Sequence, residues 1–298
     1  MKKVTGICLL TLLFAATGFG GRQKNAAIEL SSAQAGAVKA MTFNIRVDTI
    51  LDGFNRWSGR RQAVIETIAR NSADVIGLQE ALNKQVEDIA EALPQYSNYA
   101  AGRKNGKQKG ESCAIFYRTD RFALKDNGTF WFSDTPSVPG SKDWGDIWPR
   151  ICSWVHLVEK STGQGFYVYN VHLSVFSQNA REKSAELLAE QIAARKTADP
   201  FIVMGDFNMT LDNSAMAYLQ NAGMTDALRS ASPEASEDQI DHIPVSAGVK
   251  VLDAYIDRRK IDGERPSDHF PVIAKLFLAS GAIAAETNLR KNSQLQAN

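Results

Sequence analysis

The stretch FIVMGDFN at residues 201–208 joins an apolar run directly to a polar turn. The run from Phe201 to Met204 is typical of a short strand that is buried on both faces. Asp206 and Asn208 follow at the point where this strand ends. Polar residues in such a place indicate either an ordinary turn or a site at the edge of a sheet.

Two earlier segments repeat this arrangement. An alternation of apolar and polar residues predicts a strand in which Met41, Phe43 and Ile45 share one face. Asn44 then lies on the polar face at the end of that strand. The segment DVIGLQE predicts a second short strand, and Glu80 places a carboxylate at its C-terminal end.

Periodicity and turn residues predict the remaining helices and strands. Helices are predicted at residues 60–71, 83–93, 179–196 and 213–222, and further strands at 113–117, 122–132, 151–158, 166–173, 239–245, 249–255 and 271–278. Strands that follow one another without helices favour antiparallel pairing. Strand-rich parts before and after about residue 160 predict two sheets with helices outside them.

The composition is that of a globular protein with a large core. The chain has 298 residues, 44% hydrophobic and 22% charged, and a net charge of +1. Loss of Lys2 and Lys3 with a leader would make the charge −1. This balance argues against a protein that holds long nucleic acids, which requires many basic side chains, but not against a small phosphate substrate. Cys113 and Cys152 are either small core residues or a disulfide pair.

The N-terminus has the pattern of a signal peptide. Lys2 and Lys3 precede an apolar run from Ile7 to Ala16, which is too short to cross a membrane. We expect the leader to cover residues 1–21, with a cleavage point as late as residue 35. The mature protein is then exported to the periplasm or outside the cell, with one domain at 38–280 and a polar tail at 284–298.

Six short motifs occur in a fixed order along the chain. They are TFNIR (42–46), GLQE (77–80), YNVHLS (169–174), GDFN (205–208), IDHI (240–243) and SDHFPV (267–272). Together they resemble the endonuclease/exonuclease/phosphatase superfamily, over roughly Lys39 to Leu278. The resemblance implies a DNase I-like α+β fold, a four-layer α/β/β/α sandwich of two mainly antiparallel sheets with helices outside. It also implies a metal-dependent phosphoester hydrolase that acts by in-line attack of water on phosphorus.

The resemblance assigns metal ligands. Glu80 corresponds to the main ligand, with Asn44 and Asp268 beside it, and hard oxygen donors of this kind suit one or two Mg²⁺ or Mn²⁺ ions. It also implies that His269 contacts the scissile phosphate and that Asp241 orients the ring of His269.

Further catalytic roles follow from the same resemblance, whereas the candidates for substrate binding follow from their positions in the chain. Asp206 and Asn208 position or deprotonate the attacking water, and the choice of base between Asp and His stays open. His172 lies near the leaving group, with Glu111 as its partner. The candidates for substrate binding are Arg150, Arg181 and Trp148.

The long loop at residues 133–149 contains Trp144 and Trp148, which either bind substrate or pin the loop to the surface. Two positions depart from the family spelling. Ser174 stands where relatives often have Asp, and Pro244 interrupts a strand, which suggests an edge or a bulge. The segment 226–239 is shorter than in relatives, and we expect the stretch 226–244 to affect specificity.

The substrate class stays open at this stage. A phosphodiesterase or phosphatase acting on a small molecule or a lipid head group is favoured. An exported DNA or RNA nuclease, either an endonuclease or a 3′–5′ exonuclease of the poly(A)-nuclease type, is the alternative. A binding protein that has lost catalysis is disfavoured by the intact motifs, and a serine hydrolase by the lack of a G-x-S-x-G turn. No obligate protein partner is visible, and we expect a monomer.

Overall fold

The computed structural model describes residues 36–278, and within them the chain forms thirteen β-strands. In chain order they are β1 (Ala37–Asn44), β2 (Val75–Ala81), β3 (Tyr96–Tyr99), β4 (Ser112–Arg118), β5 (Phe122–Trp131), β6 (Ile151–Glu159), β7 (Gly165–His172), β8 (Phe201–Asp206), β9 (Met224–Asp226), β10 (Asp241–His242), β11 (Pro244–Ser246), β12 (Val249–Ile256) and β13 (Val272–Leu278). The helices are α1 (Trp57–Asn71), α2 (Asn83–Ala92), α3 (Gln178–Ala193), α4 (Ser214–Asn221) and α5 (Ala227–Ala231), with short 3₁₀ turns at Ile50–Asn55 and Glu234–Ser236. The predicted segments are present, while β3, β9, α5 and the 3₁₀ turns escaped the sequence pattern because they are too short to show a period.

The strands form two sheets, and each has a parallel pair at its centre. The first sheet has the order β12-β13-β1-β2-β4-β3, and the second has β5-β6-β7-β8-β11-β9 with β10 beside β8. The pairs β1/β2 and β7/β8 are parallel and all others are antiparallel. The predicted division of the sheets near residue 160 is wrong, because β5 and β6 belong to the second sheet and β12 and β13 return to the first. Periodicity shows which face of a strand is buried but not which strand lies beside it.

Three hydrophobic layers hold the sheets and helices together. Val38, Ile115, Val168, Met204 and Val272 share the layer between the sheets. A second layer packs the outer face of the first sheet against α1 and α2, and a third packs the outer face of the second sheet against α3 and α4. The predicted four-layer sandwich is therefore confirmed.

The alternation predicted for β1 agrees with these layers. Met41, Phe43 and Ile45 all lie in the layer beneath α1 and α2. Asn44 and Thr42 point instead toward the second sheet, where both are buried. β1 therefore places the side chain of Asn44 in the space between the sheets.

A buried polar contact joins the two sheets below their ends. Gln79 of β2 donates through Nε2 to Asn170 Oδ1 of β7 at 2.7 Å, and Asn170 donates to two carbonyls of the first sheet. Gly77 allows this close approach, because a Cβ there would lie 2.5 Å from Sδ of Met204. These hydrogen bonds fix the position of one sheet relative to the other, close to the strand ends.

Pro244 does not lie at a sheet edge, as its residue type suggested. It sits in β11, which has β8 on one side and the three-residue β9 on the other. The pairings Asp241–Asp206 and Val245–Ile202 share one register, so there is no bulge either. Pro244 has no backbone N–H to donate, and it lies at the break between β10 and β11, where the strand pairing is interrupted.

Cys113 and Cys152 are buried free thiols, so they are core residues in the described part of the chain. No helix within residues 36–278 is long and apolar enough to cross a membrane. The predicted signal peptide and polar tail lie outside the described residues.

Candidate active site

The ends of the central strands of both sheets meet at one place, and Asn44 connects them. Its Nδ2 donates to Glu80 Oε1 at 3.1 Å and to Asp206 Oδ2 at 3.0 Å, which links β1 and β2 to β8 of the opposite sheet. Asn44 is 1% exposed, so this amide bridges two carboxylates away from solvent. The contact joins residues that are 162 positions apart in sequence.

The turn after β8 holds Asp206 in place. Asp206 Oδ1 accepts from the backbone N–H of Asn208 at 2.9 Å, and Asn208 takes a positive φ of 53° to make this turn. The Asn208 side chain donates to Leu173 O at 3.1 Å, which ties the turn to the chain after β7. Gly205 is required because a Cβ there would collide with the carbonyl oxygen of Val171.

Burial and the nearby charge of Asp241 raise the pKa of Asp206 to about 7. A carboxylate with a pKa near neutral can accept a proton and release it again at physiological pH. Asp206 therefore has the position and the ionisation of a general base.

His269 forms an ion pair with Asp241. The distance from Nδ1 to Asp241 Oδ2 is 2.7 Å, which leaves Nε2 directed toward Asp206, 3.8 Å away. Burial alone would lower the pKa of His269, but the hydrogen bond and charge of Asp241, with Asp206 and Asp268 beyond, raise it to about 9. His269 is therefore a charged donor at neutral pH.

His172 has the opposite ionisation state. It lies beside Asp206 in the register of β7 and β8, with Nε2 at 3.7 Å from Asp206 Oδ2. Burial, together with the charges of Arg150 and Arg103, lowers its pKa well below the ordinary value. Asp206 thus lies between a neutral histidine and a charged one.

Two groups of side chains carry donor atoms of the kinds that bind divalent cations. In the first, both Glu80 oxygens accept single N–H donors, from Asn44 and from the Val47 backbone, and Asp268 is half exposed beside Arg46. The Asn44 oxygen accepts from the Arg46 N–H at 2.9 Å and keeps a second lone pair. Carboxylate and amide oxygens of this kind are the ligands that Mg²⁺ and Mn²⁺ prefer.

The second group consists of Asp206, Asp241 and His269, whose ligand atoms lie within 4.8 Å of one another. Within residues 36–278, Asp241 Oδ1 is buried and accepts no hydrogen bond. An acceptor in this state is what a cation or a donor group on a substrate would satisfy. These residues form a possible metal site, and the charge on His269 competes with metal binding there.

The predicted pairing of Glu111 with His172 is not what the structure shows. Glu111 Oε1 instead accepts from Arg103 Nη2 at 2.5 Å, and among the described residues it forms no hydrogen bond with His172. Glu111, Arg103, Arg150 and His172 nevertheless line one small pocket. Glu111 therefore acts on the site by neutralising and positioning Arg103, which the sequence pattern did not identify.

Arg150 lines the same small pocket as His172. It is only 5% exposed, and its Nε and Nη1 are buried without a hydrogen-bond partner in the described part of the chain. Unsatisfied guanidinium donors beside His172 are suited to a substrate phosphate.

Arg181 does not agree with its predicted role as a phosphate contact. Its Nε and Nη2 donate to Gln178 Oε1, and its Nη1 donates to the carbonyl oxygens of Ser174 and Val175. Its guanidinium group is occupied in bracing the turn before α3.

The two tryptophans of the loop at 133–149 have different environments. Trp144 donates through Nε1 to Asp134 Oδ1 at 2.9 Å and packs against the layer beneath α3, so it pins the loop. Trp148 is 48% exposed, and its ring lies near Arg103 and Lys104. Asp146 of the same loop accepts a hydrogen bond from Ser174. The departure at Ser174 was the one sequence signal that could have pointed to Asp146.

A helix-covered pair of mainly antiparallel sheets, with carboxylates, amides and histidines gathered at the central strand ends, defines the DNase I-like class of folds. The chain belongs to the endonuclease/exonuclease/phosphatase family, whose sequence model matches residues 41–269.

Several relatives agree with this membership. An endonuclease/exonuclease/phosphatase from Bacteroides vulgatus is 32% identical, with a TM-score of 0.77 over 81% of this chain and 99% of that one. The Bacteroides thetaiotaomicron mannosyl-6-phosphatase Bt3783 is 33% identical, with a TM-score of 0.72 over 80% of this chain and 99% of that one. The uncharacterised protein L388 of Acanthamoeba polyphaga mimivirus is 32% identical over 161 residues, which are 51% of this chain and 59% of that protein.

Proposed function

We propose that this protein is a divalent-metal-dependent phosphoester hydrolase that acts on a phosphomonoester of a small molecule. The observation that carries the proposal is the placement of Asp206 between the charged His269–Asp241 pair and the neutral His172. This arrangement places a base 3.8 Å from a cationic donor, so both can act on the same reacting group.

His269 is the cationic donor in this proposal. Because Asp241 holds its Nδ1, its Nε2–H is free to donate to a phosphoryl oxygen as negative charge develops there. A ring that is already protonated cannot accept the proton of the attacking water. Asp206 is then the base, and the Asn208 N–H fixes the orientation of its carboxylate.

Arg150, His172 and the metal ligands have complementary roles. Arg150 directs its unpaired donors at the substrate phosphate, and His172 lies on the leaving-group side. A divalent ion held by Glu80, Asn44 and Asp268 would supply Lewis acidity that neutralises charge on the phosphoryl oxygens. Mg²⁺ or Mn²⁺ fits these donors.

A phosphomonoester is favoured over a polynucleotide for two reasons. The related Bt3783, 33% identical over 99% of its chain, is a mannosyl-6-phosphatase. The net charge of +1 leaves little excess positive charge for binding a nucleic-acid backbone. A nuclease is the other outcome that the experiment below distinguishes.

The proposal is tested with a substrate screen of the protein with Mg²⁺ or Mn²⁺, with and without EDTA. The substrates are hexose 6-phosphates, nucleotides, plasmid DNA, poly(A), sphingomyelin and a chromogenic bis-phosphate ester. We expect EDTA-sensitive release of phosphate from a monoester. Turnover of nucleic acid alone would favour the nuclease, and no EDTA-sensitive turnover on any substrate would refute the proposal.

Variants then locate the chemistry. His269→Ala and Glu80→Ala should each reduce kcat by about a hundred-fold or more. His156→Ala is a matched control, because His156 also pairs with a carboxylate, Asp199 at 2.8 Å, but lies on β6 away from the site. If His269→Ala retains activity as well as His156→Ala does, the site is misplaced.

We further propose export and a monomeric state. Export is supported by the sequence pattern at residues 1–21, and it is tested by fractionating cells that produce the full chain and by N-terminal sequencing of the mature protein. Light scattering of the purified protein tests the monomer.

A further inference from the structure

The loop between β5 and β6 brings the carboxylate of Asp146 to Ser174, the position at which relatives often have an Asp of their own. Ser174 is fully buried, and its hydroxyl donates to Asp146 Oδ1. The Ser174 hydroxyl also accepts from the backbone N–H of Ser177 at 3.1 Å. The Ser174 hydroxyl therefore has both a donor and an acceptor as partners. It holds Asp146 beside the chain two residues after His172.

The second oxygen of Asp146 has no partner. Within residues 36–278, Oδ2 is buried, accepts no hydrogen bond and forms no ion pair. Burial raises the pKa of Asp146, and the charges of Arg150, Arg103 and Arg181 act in the opposite direction without contacting it. An unsatisfied buried carboxylate oxygen is costly in free energy, so a donor group that reached Oδ2 would stabilise it.

Arg150 supplies unsatisfied donors in the same neighbourhood. Its side chain is more than nine-tenths buried, and Nε and Nη1 have no partner in the described part of the chain. The strand that begins at Ile151 fixes its backbone, because Arg150 O accepts from Phe132 N at 2.9 Å. The loop therefore carries an unpaired acceptor and unpaired donors that are close enough for their charges to interact.

Trp148 lies between these two residues in sequence and is half exposed. Arg103 Cζ lies 5.9 Å and Lys104 Nζ 6.0 Å from the centre of its ring. The negative face of an indole ring attracts polarised C–H groups as well as cations. A sugar ring has such C–H groups on its face and hydroxyl donors at its edge.

We propose that Asp146, Trp148 and Arg150 form the subsite for the leaving group, and that this group is a hydroxylated ring of the hexose type. Asp146 Oδ2 accepts a hydrogen bond from a ring hydroxyl, Trp148 covers the ring face, and Arg150 binds the phosphate ester. This proposal rests on the proposed phosphomonoesterase function and adds a residue that determines specificity.

The test compares a hexose 6-phosphate with p-nitrophenyl phosphate, whose leaving group has no ring hydroxyls. Asp146→Asn preserves the shape and the acceptor for Ser174 but removes the charged acceptor. We expect kcat/KM for the hexose phosphate to fall about ten- to hundred-fold, and kcat/KM for p-nitrophenyl phosphate to change less than about three-fold.

Ser174→Ala is the matched control, because it releases Asp146 Oδ1 but leaves Oδ2 in place. If Asp146 only anchors the loop, Ser174→Ala and Asp146→Asn will have the same effect on both substrates, and the subsite is refuted. A preference of the wild-type protein for nucleotides over hexose phosphates would also refute it.

A second measurement takes its main result from the wild-type protein. The wild-type protein is assayed with a series of hexose 6-phosphates that each lack one hydroxyl. We expect one member to lose about ten-fold or more in kcat/KM, and this loss should be absent in Asp146→Asn. Equal activity on all members overturns the subsite while leaving the phosphomonoesterase intact. No turnover of any phosphomonoester refutes the function itself, and the subsite with it.

Discussion

Asp241→Asn tests the electrostatics of the site most directly. In the structure, the hydrogen bond and charge of Asp241, with the charges of Asp206 and Asp268, raise the pKa of His269 from 6.5 to about 9 against the effect of burial. This difference corresponds to about 3 kcal/mol of preferential stabilisation of the charged ring. At pH 7 only about one molecule in a hundred of the wild-type protein has a neutral ring, whereas about three quarters or more of the variant would have one.

The measurement is an NMR titration of the metal-free protein in EDTA. The chain has 4 histidines, so their ring signals can be assigned with one variant each. We expect His269 to titrate near pH 9 in the wild type and at or below about 6.5 in Asp241→Asn. His172 should remain neutral across the neutral range, because burial lowers its pKa.

The same change should appear in catalysis and stability. A neutral His269 no longer supplies a cationic donor, so kcat should fall about a hundred-fold at pH 7. Because the folded-state pKa is raised, the pair stabilises the folded protein fully below about pH 6.5, and this contribution disappears as the pH rises through about 9. A wild-type His269 that titrates near 6.5, or a titration that Asp241→Asn does not alter, would refute the reasoning.

Three further predictions concern stability, and urea unfolding measures each. Asp257 is buried, and although burial opposes its charge, hydrogen bonds from Arg259 and other donors lower its pKa. Asp257→Asn should therefore cost about 1–3 kcal/mol at pH 7, and the difference should shrink as the pH falls below about 4; an equal difference at pH 3 would contradict this. Gly205→Ala should cost about 1–3 kcal/mol because its Cβ meets the Val171 carbonyl oxygen, and an unchanged midpoint would show that the strand can shift. Asn44→Ala removes the donor that two carboxylates share and should cost about 1–3 kcal/mol without metal; Mg²⁺ should stabilise the wild type more than this variant, which lacks one proposed ligand, and a wild-type protein that Mg²⁺ does not stabilise would argue against an ion there.

Much of the fold was predictable because local patterns determine it. The alternation around Phe43 gave the correct face of β1, and the apolar run before Gly205 gave a buried strand. The division of strands between the sheets was not predictable. It depends on long-range pairings such as that of β1 with β13, which no local pattern records.

The position of a site residue was predictable where it depends on the strand or motif that carries the residue. Asn44, Asp206 and His269 lie together as their motifs suggested, although their chemical roles stay predictions until variants are assayed. The partners of Glu111 and Arg181 were not predictable, because a long side chain bonds to whichever group lies nearest in three dimensions. Asp146 was missed because its loop has no periodicity.

The Asn44–Asp206 hydrogen bond has a consequence for how activity relates to folding. Neither sheet alone contains both a complete set of ligands and the two histidines, since His172 and Asp206 come from one sheet and Asn44 and Glu80 from the other. Under the proposed function, a chain in which only one sheet has formed is inactive. Turnover therefore reports the docking of the two sheets, and regain of activity during refolding should follow that late event rather than the earlier appearance of strands.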